Sequence, residues 1–229
     1  MGIIKVKSFH PSAQVHPNSV IGEGTSVGAN TVIGADVIIG KNCRISAGAV
    51  IGASPYVTGL TKQEGSYFPI KISDDVFIGS NVTVQYGVVR PTLIGRGSWI
   101  NHSCAVGHDV CFGEGVMLGL SSTVSGHSNI GDHVRIGPGS TLTNRSEVGA
   151  DAVIGIGSLV LHPVAAGTTV LGRPAELRSD YLKNVKRLLE LLDNGRSHRQ
   201  ITGGGNRYVG LIPPRLRRLL KKLIKKIGR

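Results

Sequence analysis

The chain has 229 residues, 33 of them glycine, with 40% hydrophobic and only 4% aromatic residues, enough for one domain with a buried core plus appendages. Its formal net charge of +12 is unevenly spread: residues 1–175 hold 11 Lys/Arg against 10 Asp/Glu, and residues 176–229 hold 15 against 4. The basicity therefore belongs to the tail, and a near-neutral body with a tail lacking interleaved aromatics argues against a nucleic-acid binder.

No window approaches the roughly 20 apolar residues of a membrane-spanning helix. The N-terminus has no apolar stretch long enough for a signal peptide, so a cytoplasmic protein is expected. The three cysteines show no paired spacing, which supports neither a disulfide framework nor a zinc knuckle. Cys43 and Cys104 fall at small interior positions and Cys111 at an outward one.

From Phe9 an aliphatic or aromatic residue returns at every sixth position: Val15, Ile21, Val27, Ile33, Ile39, Ile45 and Ile51. This period is neither 2 nor 3.6, so ordinary amphipathic strands and helices are excluded. A short fixed period marks a β-helix solenoid. Two places before each ladder residue stands a small or β-branched one (Thr25, Thr31, Val37, Cys43, Ala49), also directed inward. Gly22, Gly28, Gly34, Gly40 and Gly52 follow the ladder residue and are expected to take a left-handed corner conformation.

The period breaks at 53–71, where an extruded loop holds Tyr56, Tyr67 and Phe68. A long loop on an otherwise regular solenoid points to function, and Tyr67 and Phe68 are candidate substrate contacts. The ladder resumes at Ile72, Ile78 and Val84 and slips by four residues across Val88-Val89-Arg90-Pro91, implying a small bulge. It then runs without a fault from Ile94 to Val160.

Residues 176–193 have apolar positions at helical spacing and are expected to cap the solenoid. A linker follows at 194–212. Residues 213–229 form a basic amphipathic helix with Leu216, Leu219, Leu220, Leu223, Ile224 and Ile227 on one stripe. Such a helix suits the anionic inner face of a membrane, with each nearby basic residue contributing about 1 kcal/mol; the competing readings are docking to acidic acyl carrier protein, docking to a membrane-bound glycosyltransferase, and a solvated packing helix.

The aliphatic-Gly-x-x-small-x repeat resembles the hexapeptide-repeat acyltransferases over about residues 9–175. The resemblance implies an all-β solenoid, a left-handed parallel β-helix with C-terminal α-helices added, in which three hexads complete a coil. It also implies a homotrimer with active sites between subunits. Asn101 to Gly115, containing Gly107-His108-Asp109, is similar to acetyltransferases acting on sialic acid or amino-dideoxy nucleotide sugars. Val170-Leu-Gly172-Arg173-Pro174-Ala175 resembles their stretch near the adenine of coenzyme A. The loop after Gly52 and the segment Ser73-Asp-Asp-Val-Phe-Ile-Gly are instead similar to the N-acyltransferase of lipid A biosynthesis, which takes a long acyl chain from acyl carrier protein.

Acyl transfer needs a base for the acceptor proton and donors for the oxyanion. By resemblance His108 is the general base and Asp109 the acid that orients it. Gly126, Asn144 and His162 follow at intervals of one coil, about 4.8 Å each. The Gly126 amide would hold the thioester carbonyl, and Asn144 and His162 would line the pantetheine arm. Met117 stands where the acetyltransferases carry a second histidine, and Arg145 where the lipid A enzyme carries a phosphate-contacting one; arginine's fork of donors suits a phosphate. His127 and His133 are further candidate substrate contacts. A metal site like that of γ-class carbonic anhydrases would require a histidine five places after His108, where this chain has Gly113.

The expected function is acetyl transfer from acetyl-CoA to an amino or hydroxyl group of a nucleotide- or lipid-linked sugar in surface polysaccharide synthesis, without a metal. The alternatives are long-chain N-acylation from acyl carrier protein and, in another class, a non-catalytic β-helix scaffold.

Overall fold

A computed structural model describes residues 8–55 and 67–193. Residues 1–7, most of the extruded loop (56–66), the expected linker 194–212 and the basic helix 213–229 lie outside the described residues. The chain divides into two compact units, Met1–Glu176 and Leu177–Arg229.

The first unit is the expected parallel solenoid. Its strands, mostly two or three residues long, stack into three parallel sheets of ten, eight and seven strands, taken here as the first, second and third faces. Up to Leu159–Val160, successive strands along the chain visit the faces in turn, so each full coil contributes one strand to each. In the unbroken stretches the register pairs residues 18 apart, as in Ala105↔Thr123 and Thr123↔Thr141. The two breaks lengthen this interval without changing the phase. Across the extruded loop Ile39 pairs with Ile72, and across the slip Val84 pairs with Val106.

The interior matches the two-position ladder. Ile33, Ile39, Ile51, Ile78, Ile100, Leu118 and Leu142 are at most 1% exposed, and Val37, Cys43, Ala49 and Cys104 are buried beside them. Phe9, in the first described coil, is 41% exposed because no described coil lies beneath it.

Small polar residues at the inward corners stitch the coils together. Thr25, Thr31, Ser98, Ser122 and Ser140 donate their hydroxyls to the carbonyls of Gly40, Ser46, Gly113, Gly137 and Gly155 at 2.8–3.2 Å. Thr25, Ser98, Ser122 and Ser140 also accept the amides of Cys43, Val116, Ser140 and Ser158 at 3.0–3.3 Å. Buried hydroxyls are thereby satisfied on both sides, which is why they are tolerated in an aliphatic core.

The corner glycines correct the conformational expectation. Gly22, Gly28, Gly34 and Gly40 do not adopt positive φ; the left-handed residue stands two places later, as at Gly24, Asn30 and Asn42. What demands glycine directly after the ladder residue is the close approach of the next coil. A Cβ on Gly28 would lie 2.6 Å from the Ala47 nitrogen. Gly52, with φ 108°, does occupy the expected region.

In the second unit the helix Arg178–Asp193 starts two residues later than expected, after the short strand Glu176–Leu177. Asp180 in its first turn complements the helix dipole and pairs with Lys183 at 3.1 Å. No helix among the described residues is long and apolar enough to cross a membrane.

Replacing Ser122 by alanine removes the acceptor of the buried Ser140 amide. The expected cost is about 1–3 kcal/mol, read as a lowered denaturation midpoint with unchanged far-UV circular dichroism.

Candidate active site

Both breaks in the period fall on one edge of the solenoid, between the second and third faces. The loop at 53–71 leaves this edge after Val50–Ala53, the slip follows Thr83–Gln85 one coil later, and His108-Asp109 follow Ala105–Val106 in the coil after that. Tyr67 and Phe68 return the loop to the same place. Phe68 forms an antiparallel bridge with Gly87, and Tyr67 stacks on Tyr86 with ring centroids 5.9 Å apart. Tyr86 donates its hydroxyl to Ala35 at 2.6 Å and lies against Gly34 and Gly52, where a side chain would block it.

Asp109 takes the left-handed corner position, φ 60°, and its side chain is fully buried. The four-residue slip explains how a carboxylate is tolerated there. Oδ1 accepts the amides of Val88, Val89 and Arg90 at 2.9, 2.8 and 2.8 Å, and the Asp109 amide donates to buried Thr92 Oγ1 at 3.0 Å. Oδ2 lies 2.7 Å from His108 Nδ1. Burial by itself raises the Asp109 carboxyl, but the hydrogen bonds from His108 and the three amides outweigh it and hold the group below its ordinary value. The ionised carboxylate can only accept, so in the neutral His108 ring the proton sits on Nδ1 and Nε2 is the basic nitrogen.

That free nitrogen faces the next coil. A Cβ on Gly126 would come within 2.6 Å of His108 Nε2, and one on Gly107 within 2.7 Å of the Gly126 nitrogen. The imidazole fills the space that a side chain at 126 would occupy. The Gly126 amide has no acceptor among the described residues.

His127, one coil above Asp109, closes the group. Its Nδ1 lies 3.4 Å from Asp109 Oδ2, and its ring meets His108 edge-on at 4.8 Å. Burial pushes the His127 pKa down; Asp109 opposes this, while His108, Arg145 and Arg90 add to it. His108, Asp109 and His127 bring three ligand atoms within 4.8 Å of one another, a grouping that a metal ion could use. Two of those atoms are already hydrogen-bonded to each other, His108 Nδ1 and Asp109 Oδ2, and the other carboxylate oxygen is filled by three amides. The donor set fits a base and its orienting acid without needing a cation.

Gly126, Asn144 and His162 continue the His108 edge coil by coil, Asn144 and His162 being exposed. Exposed Arg145 stands above His127, its amide donating to the Gly126 carbonyl at 2.9 Å. Two expected contacts lie elsewhere in the single chain. Met117 is 48% exposed on the first face, paired with Trp99 and Arg135, opposite the His108 edge. Gly172, Arg173 and Pro174 form a corner between the first and second faces, where Arg173 Nε donates to the Gly157 carbonyl at 2.6 Å. His133 is exposed on the edge between the third and first faces.

Sequence reasoning missed Arg90, Thr92 and Asn129. Their signal was the slip itself. Once Val84 is set beside Val106, the residues after it must meet the residues after Val106, and Val88–Arg90 meets Asp109.

Two family models match the chain: bacterial transferase hexapeptide (six repeats) over residues 10–53 and hexapeptide repeat of succinyl-transferase over residues 69–101. With the solenoid, these matches make the chain a hexapeptide-repeat protein. In sequence it is similar to UDP-3-O-acylglucosamine N-acyltransferases. A UDP-3-O-acylglucosamine N-acyltransferase of Hahella chejuensis is 29% identical over 170 residues, 71% of this chain and 48% of that protein. The enzyme of the same name from Paracoccus denitrificans is 47% identical over 49 residues, 21% of this chain and 14% of that protein. The chain thus spans about half or less of the length of these relatives. In fold it is similar to LpxA from Acinetobacter baumannii, with a TM-score of 0.63 at 23% identity over 95% of this chain and 89% of that one. It is also similar to UDP-N-acetylglucosamine O-acyltransferase (LpxA) from Moraxella catarrhalis, with a TM-score of 0.58 at 23% identity over 95% and 91%.

The two depressed groups make the fold acid-sensitive in two stages. The unfolded His127 gains its proton near its ordinary value of 6.5, before the folded one does, so stability is full above that pH and declines as pH falls from there toward the folded value. The Asp109 contribution is full above about 3.8 and is lost as pH falls through its lower folded value. His127→Gln should flatten the first decline and leave the second, as read from melting temperature against pH; an unaltered first decline would refute the assignment.

Proposed function

We propose that the protein is an acyltransferase that moves an acyl group from a thioester to the amino group of a nucleotide-linked sugar, with His108 as general base. The observation that carries this reading is the free Nε2 of His108 against the unpaired Gly126 amide, with Asp109 fixing the tautomer from behind. Nε2 takes the proton of the acceptor amine as its nitrogen attacks the thioester carbonyl. The new C–N bond forms while the carbonyl oxygen becomes an oxyanion held by the Gly126 amide. Collapse breaks the C–S bond, and the imidazolium returns its proton to the leaving thiolate, with Asp109 stabilising the charged ring in between. No covalent enzyme intermediate is needed.

For the donor, an acyl chain on acyl carrier protein is favoured over acetyl-CoA. The relatives that match in sequence are named as N-acyltransferases of UDP-3-O-acylglucosamine, and the aromatic root of the extruded loop stands on the same edge as His108. Arg145, above His127, suits a phosphate of the acceptor. The acetyl-CoA reading keeps one support in this sequence, the corner Gly172-Arg173-Pro174. In the homotrimer that the resemblance implies, that corner and Met117 would reach His108 only from a neighbouring copy. Attachment of residues 213–229 to an anionic membrane surface, at the cytoplasmic side, belongs to the same proposal.

His108→Ala is expected to abolish transfer while the assembly stays intact, and near-normal turnover would sink the reading. Gly126→Ala, which drives a methyl into the imidazole, should lower kcat by roughly 100-fold. Turnover of acyl-carrier-protein thioesters against acetyl-CoA on a panel of nucleotide sugars, with products weighed by mass spectrometry, separates the two donors.

A further inference from the structure

Arg90 takes no part in the reaction just described, yet its side chain is tied to three acceptors on the coils that carry it. Its own amide donates to Asp109 Oδ1 at 2.8 Å, so the Asp109 side chain grips the backbone at 90. Its Nε donates in return to the Asp109 carbonyl at 2.9 Å. Nη2 reaches one coil further, to the His127 carbonyl at 3.3 Å and Asn129 Oδ1 at 2.7 Å. Asn129 is held in its turn by Glu147 Oε1 at 2.7 Å, another coil on.

Corners are where this solenoid is least constrained by its strand ladders. Between Val106/Val124 and Cys111/Asn129, the Gly107 amide bonds the Val124 carbonyl at 2.8 Å and the Cys111 amide the Ser128 carbonyl at 2.9 Å, and between these only the bond from the His127 amide to the His108 carbonyl, at 2.9 Å, joins the two corners. His108 and Gly126 both stand on these corners, outside the paired strands. We propose that Arg90 is a positioning residue for acyl transfer: its guanidinium latches the corner carbonyls of Asp109 and His127, and so sets the gap between the His108 imidazole and the Gly126 amide. A planar fork meets two carbonyls and an amide oxygen in fixed directions, which a lysine ammonium does not. The charge works in the same sense as the geometry, since Arg90 is one of the cations that, after burial, hold His127 below its ordinary value. This latch rests on the acyl-transfer reading for its kinetic consequence but not for its geometry.

The test uses the full chain with Arg90→Lys and Arg90→Ala. It combines steady-state kinetics, with an acyl-carrier-protein thioester and a nucleotide sugar, and ¹⁵N spectra of the histidine rings. The expected result for Arg90→Lys is a kcat lower by ~10–100-fold with little change in acceptor KM, because a misplaced base loses turnover before it loses binding. Added guanidinium ion should restore part of the activity to Arg90→Ala and none to Arg90→Lys. The His108 ring should carry its proton on Nδ1 in the wild type and divide between both nitrogens in Arg90→Lys. An unchanged kcat with an unchanged ring tautomer overturns the latch, as does a loss explained by KM and melting temperature alone. If the wild type itself transfers no acyl group, the acyl-transfer reading falls and the tautomer comparison alone decides the latch. Should either variant fail to fold, Asn129→Ala, which removes one acceptor of the fork, is expected to lower kcat severalfold in the same direction; wild-type turnover there would overturn the proposal.

Discussion

The stacking of one coil directly on the next is the constraint from which the rest of this structure follows. Each strand pairs with the strand one coil away, so residues that share a place in the repeat share a place in space. Inward, the coils hold residues that stack on their counterparts one coil away: mostly aliphatic side chains on the faces, and mostly small, β-branched or hydroxyl-bearing ones at the corners. Where one coil passes over the backbone of the next, no Cβ fits, and glycine follows the ladder residue for that reason. A periodic core of this kind gives every coil nearly the same local environment, so its stability is spread along the solenoid.

Against that uniform background the irregularities carry the information. Between Phe9 and Val160, two breaks in an otherwise strict period occur on one edge, in consecutive coils, immediately before the coil that bears His108 and Asp109. The slip is the more consequential of the two. It turns three successive amides toward a single carboxylate oxygen, and a buried Asp109 would be severely destabilising without them. With them the carboxylate stays ionised, which sets the tautomer of the neutral His108 ring and makes its outer nitrogen the basic one.

The same carboxylate ties stability to chemistry. Asp109 holds the slip in place, the slip brings Arg90 to the corners above, and those corners hold the imidazole against Gly126. A change in any one of these groups is transmitted to the others through hydrogen bonds of 2.7–3.3 Å. His127, whose pKa burial lowers, stands beside the same oxygen, so acidification acts on the fold at the site itself.

The six-residue period alone determined the solenoid, its inward positions, and the single edge shared by His108, Gly126, Asn144 and His162. These follow from spacing, because in a stacked repeat the distance along the chain is the distance in space. The period also located both interruptions. It did not say why glycine follows the ladder residue: a close approach between coils and a left-handed corner leave the same glycine in the sequence, and only the coordinates of the neighbouring coil separate them. Nor did it disclose Arg90, Thr92 and Asn129, whose partners lie across the slip, or show that Met117 and Arg173 stand on other parts of the prism than His108. Those depend on the path the chain takes through four extra residues and on which face each corner joins, and both are settled by packing in three dimensions.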